Sequence, residues 1–148
     1  MQDILAVVTI VVVGVMVGVE FAVAVFVNPI LDRLPDNGGL NARSDGARIL
    51  GRAMPVWYFS SLVLGAVWAA LAWGEDGAPY VVAGAALLVA SIVLSVLLLV
   101  PTNTRSARWS VEGPPEDWRE QLGRWDRYHY LRVGVIVLAF ASFAVALV

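Results

Sequence analysis

The 148-residue chain contains no cysteine, no lysine and one histidine, and only 15% of its residues are charged. Without cysteine there is no disulfide, thiolate metal site or cysteine nucleophile. One imidazole alone does not make a zinc site, which takes three or four protein ligands. A net charge of −2 and the lack of any basic tract exclude ordinary nucleic-acid binding. What remains is apolar: 59% of the residues are hydrophobic, against about 45–50% in a soluble domain, which also carries about 25% charge. Both departures point to a membrane protein. The length suits a single integral-membrane domain over residues 1–148. All ten basic residues are arginine, and alanine, valine and glycine abound. That is the mark of GC-rich coding DNA, suggests an actinobacterial type of source, and makes a bacterial inner membrane the expected location.

A helix needs about 20 apolar residues to cross the roughly 30 Å hydrocarbon core. Four stretches qualify: Ile4 to Val27, interrupted only by Glu20, then Ala53 to Trp73, Tyr80 to Val100, and a last one that is apolar from Val133 to Val148. The last is about 24 Å long as a helix, so it is expected to recruit Arg132 and His129 to reach the interface. The Met-Gln-Asp start has no basic region, so the first span is expected to stay as a helix rather than act as a removable signal. The arginines fall in or beside the two long connections. The ends and the short Gly74–Pro79 turn carry none. By the positive-inside rule, the expected fold is an all-α membrane protein. It is a bundle of four transmembrane helices with both termini outside and both long connections cytoplasmic. Asn28-Pro29 is expected to end the first helix, and Ser44-Asp45-Gly46 to cap a helix leading into the second span. Pro114-Pro115 is expected to open a long fourth helix that extends into the cytoplasm and runs to Val148.

The polar residues within these spans carry the chemistry. Glu20 lies in the first span, roughly 12 Å from its Asn28 end. A central membrane carboxylate costs about 2.5–3.5 kcal/mol and normally faces the bundle interior with a partner. It either works or locks one helix to another. Asn28 shares its helix face, as a contact to a ligand or as a helix cap. His129 and Arg132 stand one turn apart on a stripe with Trp118, Leu122 and Trp125. His129 is an acid–base candidate near neutral pH or an interfacial side chain bonded to backbone. Arg132 either pairs with Glu20 or snorkels. Arg52, Trp57 and Tyr58 at one end of the second span, and Asn103 and Trp109 after the third, complete a one-sided polar and aromatic set. These residues, with Asn28 and Trp125, are expected to bind substrate in a pocket near the cytoplasmic leaflet. For the tryptophans an ordinary interfacial belt explains as much. Gly14-x-x-x-Gly18 allows close helix approach, within the bundle or in a homo-oligomer.

Taken in order, Glu20…Asn28-Pro29, Pro101-Thr102-Asn103…Trp109 and Trp125…His129…Arg132 on four short spans resemble the anthrone oxygenase-like family. The resemblance covers nearly the whole chain and rests on order and spacing rather than on one motif. It implies a small membrane oxygenase or oxidase acting with dioxygen on a hydrophobic, polycyclic aromatic substrate of the anthrone kind. Glu20, His129 and Arg132 would be catalytic. The chemistry needs a base matched to the working pH and donors for a developing oxyanion, for which Arg132, Asn28 and Asn103 are candidates. If a metal takes part, Glu20 and His129 are its first ligands.

Two other readings compete. A small proton-coupled transporter would use Glu20 as its carboxylate and show proton-dependent efflux that Glu20→Gln abolishes. A non-catalytic membrane scaffold would tolerate loss of Glu20 and His129 but need the Gly14/Gly18 face. In every reading the lipid bilayer is the first partner and a hydrophobic small molecule the second.

Overall fold

A computed structural model describes residues 2–148. All regular structure among them is helical. Four helices are long and apolar enough to cross a membrane: α1 (Gln2–Leu31), α2 (Gly38–Leu71), α3 (Ala78–Glu112) and α4 (Trp118–Val145). α1 packs on α2 and α4, and α3 packs on the same two helices. The outer faces carry Ile4, Val7, Val56, Val67, Val93 and Leu138, all exposed as a hydrocarbon environment requires.

Helix boundaries depart from the sequence expectation in three places. α1 does not end at Asn28-Pro29 but runs through it to Leu31. Proline lacks an N–H, and its ring collides with the carbonyl four residues earlier. The helix absorbs this by widening into a π-helical turn over Val23–Val27, where the Asn28 N–H bonds the Val23 carbonyl. α3 repeats the device before Pro101: Ser95–Leu99 is π-helical, and the Val100 N–H bonds the Ser95 carbonyl. Second, Ser44-Asp45-Gly46 caps nothing. α2 is one helix from Gly38, and Ser44 spends its hydroxyl on α3, donating to Ser110 Oγ (3.2 Å) and accepting from the Ser110 N–H (3.1 Å). Third, the long extension belongs to α2, with 34 residues, and not to α4, with 28. Gly113 at φ 86° turns the chain, the two prolines after it donate no amide, and α4 starts only at Trp118.

Small residues decide how closely the helices approach at the end bearing the Ala72–Gly77 connection. Phe143 is fully buried and stacks on Trp68 at 5.7 Å. A β-carbon on Gly65 or on Gly84 would lie 2.9 Å from its ring. Gly84→Ala is therefore expected to lower stability by about 1–3 kcal/mol, the usual cost of overpacking a core. Gly18→Ala meets nothing within 4 Å and is expected to gain up to about 1 kcal/mol of helix propensity. Unfolding in mixed micelles measures both. Of the Gly14-x-x-x-Gly18 pair, Gly14 is the one that admits a neighbour, with the Phe140 ring 2.9 Å from its would-be β-carbon.

At the opposite end an ionic clamp joins three helices. Arg43 of α2 bonds Asp32 after α1 (2.8 and 3.0 Å) and Asp126 of α4 (2.5 and 3.1 Å). The Asn28 amide donates to the same Asp126 at 3.2 Å.

Candidate functional site

A cavity of about 680 Å³ occupies the clamp-bearing half of the molecule. Its lining begins at Val19 on α1 and at Ile92 on α3, and stops at Phe59 on α2 and Arg132 on α4. Beyond that level the helices close on a packed core of Val13, Met16, Leu88, Ile136 and Phe143. Glu20, Tyr58 and Arg132 thus sit at the deep end.

Arg132 organises that end. Its Nη2 donates to Glu20 Oε2 and contacts His129 Nδ1 at 3.0 Å. Its Nη1 donates to Ser95 Oγ at 3.2 Å, and its guanidinium lies 5.4 Å from the centre of the Tyr58 ring. Ser95 stands where the π-helical turn of α3 begins and in turn donates to the Ser91 carbonyl (2.8 Å). The π-helical turn of α1 contributes as well. Asn28 gives its N–H to Val23, and Pro29 has none, so the Ala24 carbonyl lacks a helical partner. The Tyr130 hydroxyl of α4 supplies one at 2.8 Å. Both proline-induced turns therefore tie α1 and α3 to α4 beside the cluster. π-helical turns occur frequently at functional sites.

The pairing sets proton positions. A guanidinium has only donors, so His129 Nδ1 accepts from Arg132, and a neutral imidazole then carries its proton on Nε2. His129 also stacks on Trp125 at 4.6 Å, which holds the ring plane. Several polar atoms here are buried without a protein partner: Glu20 Oε1, Tyr58 Oη, Ser91 Oγ, His129 Nε2, Arg132 Nε and Trp125 Nε1. Buried polar groups are nearly always satisfied. So many orphans at the end of one cavity mark a place where another molecule supplies the missing bonds.

The donor set does not fit a metal ion. Among the described residues no three His, Asp or Glu side chains converge. Glu20 Oε2 and His129 Nδ1 lie 3.6 Å apart, but the cationic Arg132 Nη2 is bonded to both atoms.

Of the residues expected at a site, Glu20, Asn28, Arg52, Tyr58, Asn103, Trp125, His129 and Arg132 line the cavity. Trp57 and Trp109 do not. Trp57 Nε1 donates to the Val12 carbonyl at 3.0 Å, fastening α2 to α1. Trp109 packs against Leu40 and Leu122 in a small separate core. Arg43, Ser95, Asp126 and Tyr130 were not singled out. Arg43 counted only as one of many interfacial arginines, and Asp126 sits in a charged stretch that reads as a solvated face. The two prolines were the one signal for Ser95 and Tyr130, because each frees backbone carbonyls that a side chain must satisfy.

A family model described as anthrone oxygenase matches residues 51–142, more than half of the chain. The chain belongs to the anthrone oxygenase family. In this anthrone oxygenase family member the match takes in Arg52, Tyr58, Asn103, Trp125, His129 and Arg132. It begins after Glu20, Asn28 and Arg43, which reach the site from α1 and the start of α2. No curated protein and no solved structure matches the chain.

Proposed function

We propose that the protein is a membrane-embedded oxygenase that oxidises a flat, hydrophobic, anthrone-like substrate with dioxygen at the Glu20 cluster. The observation that carries this reading is a carboxylate held through one oxygen only. Arg132 engages Glu20 Oε2, and Oε1 is left without a partner beside unpartnered donors at the end of a largely apolar cavity.

In this scheme Glu20 Oε1 takes the proton from the activated C–H beside the anthrone carbonyl system. His129 Nε2–H, in the tautomer that Arg132 imposes, and the Tyr58 hydroxyl donate to the oxyanion that develops on the carbonyl oxygen. Histidine acts as a donor here and not as the resting base. The electron-rich anthrolate passes an electron to dioxygen, and the two radicals combine to a peroxide that takes up the proton. Loss of the second proton from the same carbon breaks the O–O bond, releases water and leaves the new carbonyl. One anthrone and one dioxygen thus give one anthraquinone and one water.

The test is oxygen uptake by purified protein in liposomes supplied with a model anthrone. One mole of dioxygen is expected per mole of quinone. Uptake no faster than with protein-free liposomes would overturn the assignment. His129→Phe keeps the stack on Trp125 but removes the donor. It is expected to slow turnover by about 10²-fold, the lower end for losing one oxyanion donor, while His129→Gln recovers part of the rate. Equal rates in the two variants would show that His129 acts only by packing.

A further inference from the structure

The cavity is not sealed on all sides. On α2 its lining includes Arg48, Arg52, Pro55 and Phe59, and on α3 it includes Val96, Val100, Thr104 and Arg108. All eight are exposed, with Phe59 at 66% and Val96 at 58%. The lining residues of α1, by contrast, are mostly buried or half-buried. Two exposed stripes on neighbouring helices, both lining one cavity, describe a gap between α2 and α3 that faces the bilayer.

The backbone supports the same opening. Pro55 has no N–H for the Gly51 carbonyl, and Pro101 none for Leu97. The π-helical turn of α3 sends the Val100 N–H to Ser95, which leaves the Val96 carbonyl without an amide from its own helix. Non-helical backbone polarity is tolerated at membrane depth only where it is buried in protein or lines a hydrated cavity. Gly51 and Val96 both line this one.

Charge then selects the occupant. Five arginines line the cavity. Arg43 is held by Asp32 and Asp126, Arg48 by Asp45, Arg108 by Glu112 at 3.8 Å, and Arg132 by Glu20. Among the described residues Arg52 alone of the five has no acidic partner. It stands six positions before Tyr58 on α2, roughly 9 Å along the helix axis, about the length of three fused rings.

We propose that the cavity opens sideways into the bilayer between α2 and α3, and that it takes a membrane-dissolved aromatic amphiphile whose carboxylate or phenolate rests on Arg52 while its apolar body reaches the Glu20 end. This rests on reading the Glu20 cluster as the reacting end, and it narrows the substrate class to aromatic acids and acidic phenols.

Binding tests it without turnover, so failure of oxygen uptake and failure of this inference are separate results. The probes are 2-anthracenecarboxylate and its neutral carboxamide, titrated against the full chain in non-ionic micelles and read by the ligand-induced shift in unfolding temperature. The acid is expected to bind about tenfold more tightly than the amide, the scale of one charge-assisted hydrogen bond. Arg52→Gln brings the ratio near one and leaves the amide unchanged. Arg33→Gln, which removes one positive charge at the same end but outside the cavity, keeps the ratio. Equal affinity in the parent protein, or a preference that survives Arg52→Gln, overturns the assignment. So does phosphatidylglycerol displacing the acid through Arg52 while phosphatidylcholine does not, because the rim is then a lipid headgroup site. The chain has no native cysteine, so Val96→Cys and Val11→Cys report the gap directly in liposomes through labelling by a lipid-soluble maleimide. Saturating 2-anthracenecarboxylate is expected to protect position 96 and not position 11, and equal labelling at position 96 with and without it refutes the lateral opening.

Discussion

Glu20→Gln is expected to lower anthrone-dependent oxygen uptake by about 10²–10⁴-fold, the usual contribution of a positioned general base, in a protein that still folds. Glutamine keeps the volume of the side chain and still offers Arg132 a carbonyl oxygen, so the bonds that Arg132 makes to Glu20, His129 and Ser95 can all be retained. What disappears is the capacity to take a proton. Initial rates in proteoliposomes give the fall, and the unfolding midpoint in micelles shows whether the bundle is intact. A folded Glu20→Gln protein with parental rates would move the base elsewhere. Loss of activity together with loss of the fold would call for Glu20→Asp, which keeps the proton acceptor but retracts it by one methylene, and which is expected to retain more activity than Gln.

Arg132→Met is the largest expected effect on stability. Glu20 is 4% exposed, and without the guanidinium its carboxylate is left buried and unpaired. Breaking such a pair from one side costs about 3–5 kcal/mol. The bonds to Ser95 and His129 go as well. Removing both charges in Glu20→Leu/Arg132→Met is expected to cost much less than the sum of the single changes, because an apolar pair of similar volume leaves nothing to satisfy. That double variant is expected to be stable and inactive. A strictly additive double variant would mean that the two side chains stabilise the protein separately and that the contact between them is incidental. Reversible unfolding by SDS in mixed micelles supplies the four free energies.

The parts of this protein legible in the sequence were those governed by hydrocarbon. Four apolar runs gave four helices of spanning length, since lipid tolerates little else. A lone carboxylate in the first run pointed inward for the same reason. The stripe Leu122, His129, Arg132 on α4 followed from helical periodicity and is buried on one face. Less legible was everything set by contacts between distant segments. A proline preceded by asparagine reads locally as a stop. Only the packing of α1 against α2 and α4 makes continuing through Pro29 worth a widened turn. Ser44 reads as a cap until its neighbour Ser110 is known. Trp57 and Trp109 carry no mark that separates a side chain lining a cavity from one fastening two helices. Arg43 and Asp126, 83 positions apart, share no local signal, and their clamp exists only in three dimensions.

The ring of Phe143, held between Gly65 and Gly84, has a kinetic corollary. Because the helices meet there without a gap, the molecule is a cul-de-sac and no through-passage to the far side exists. A product formed beside Glu20 has to back out along the route by which the substrate came. Exit and entry then contend for one doorway, so accumulated quinone in the bilayer should slow turnover competitively, and net movement of solute from one face to the other should not accompany the reaction.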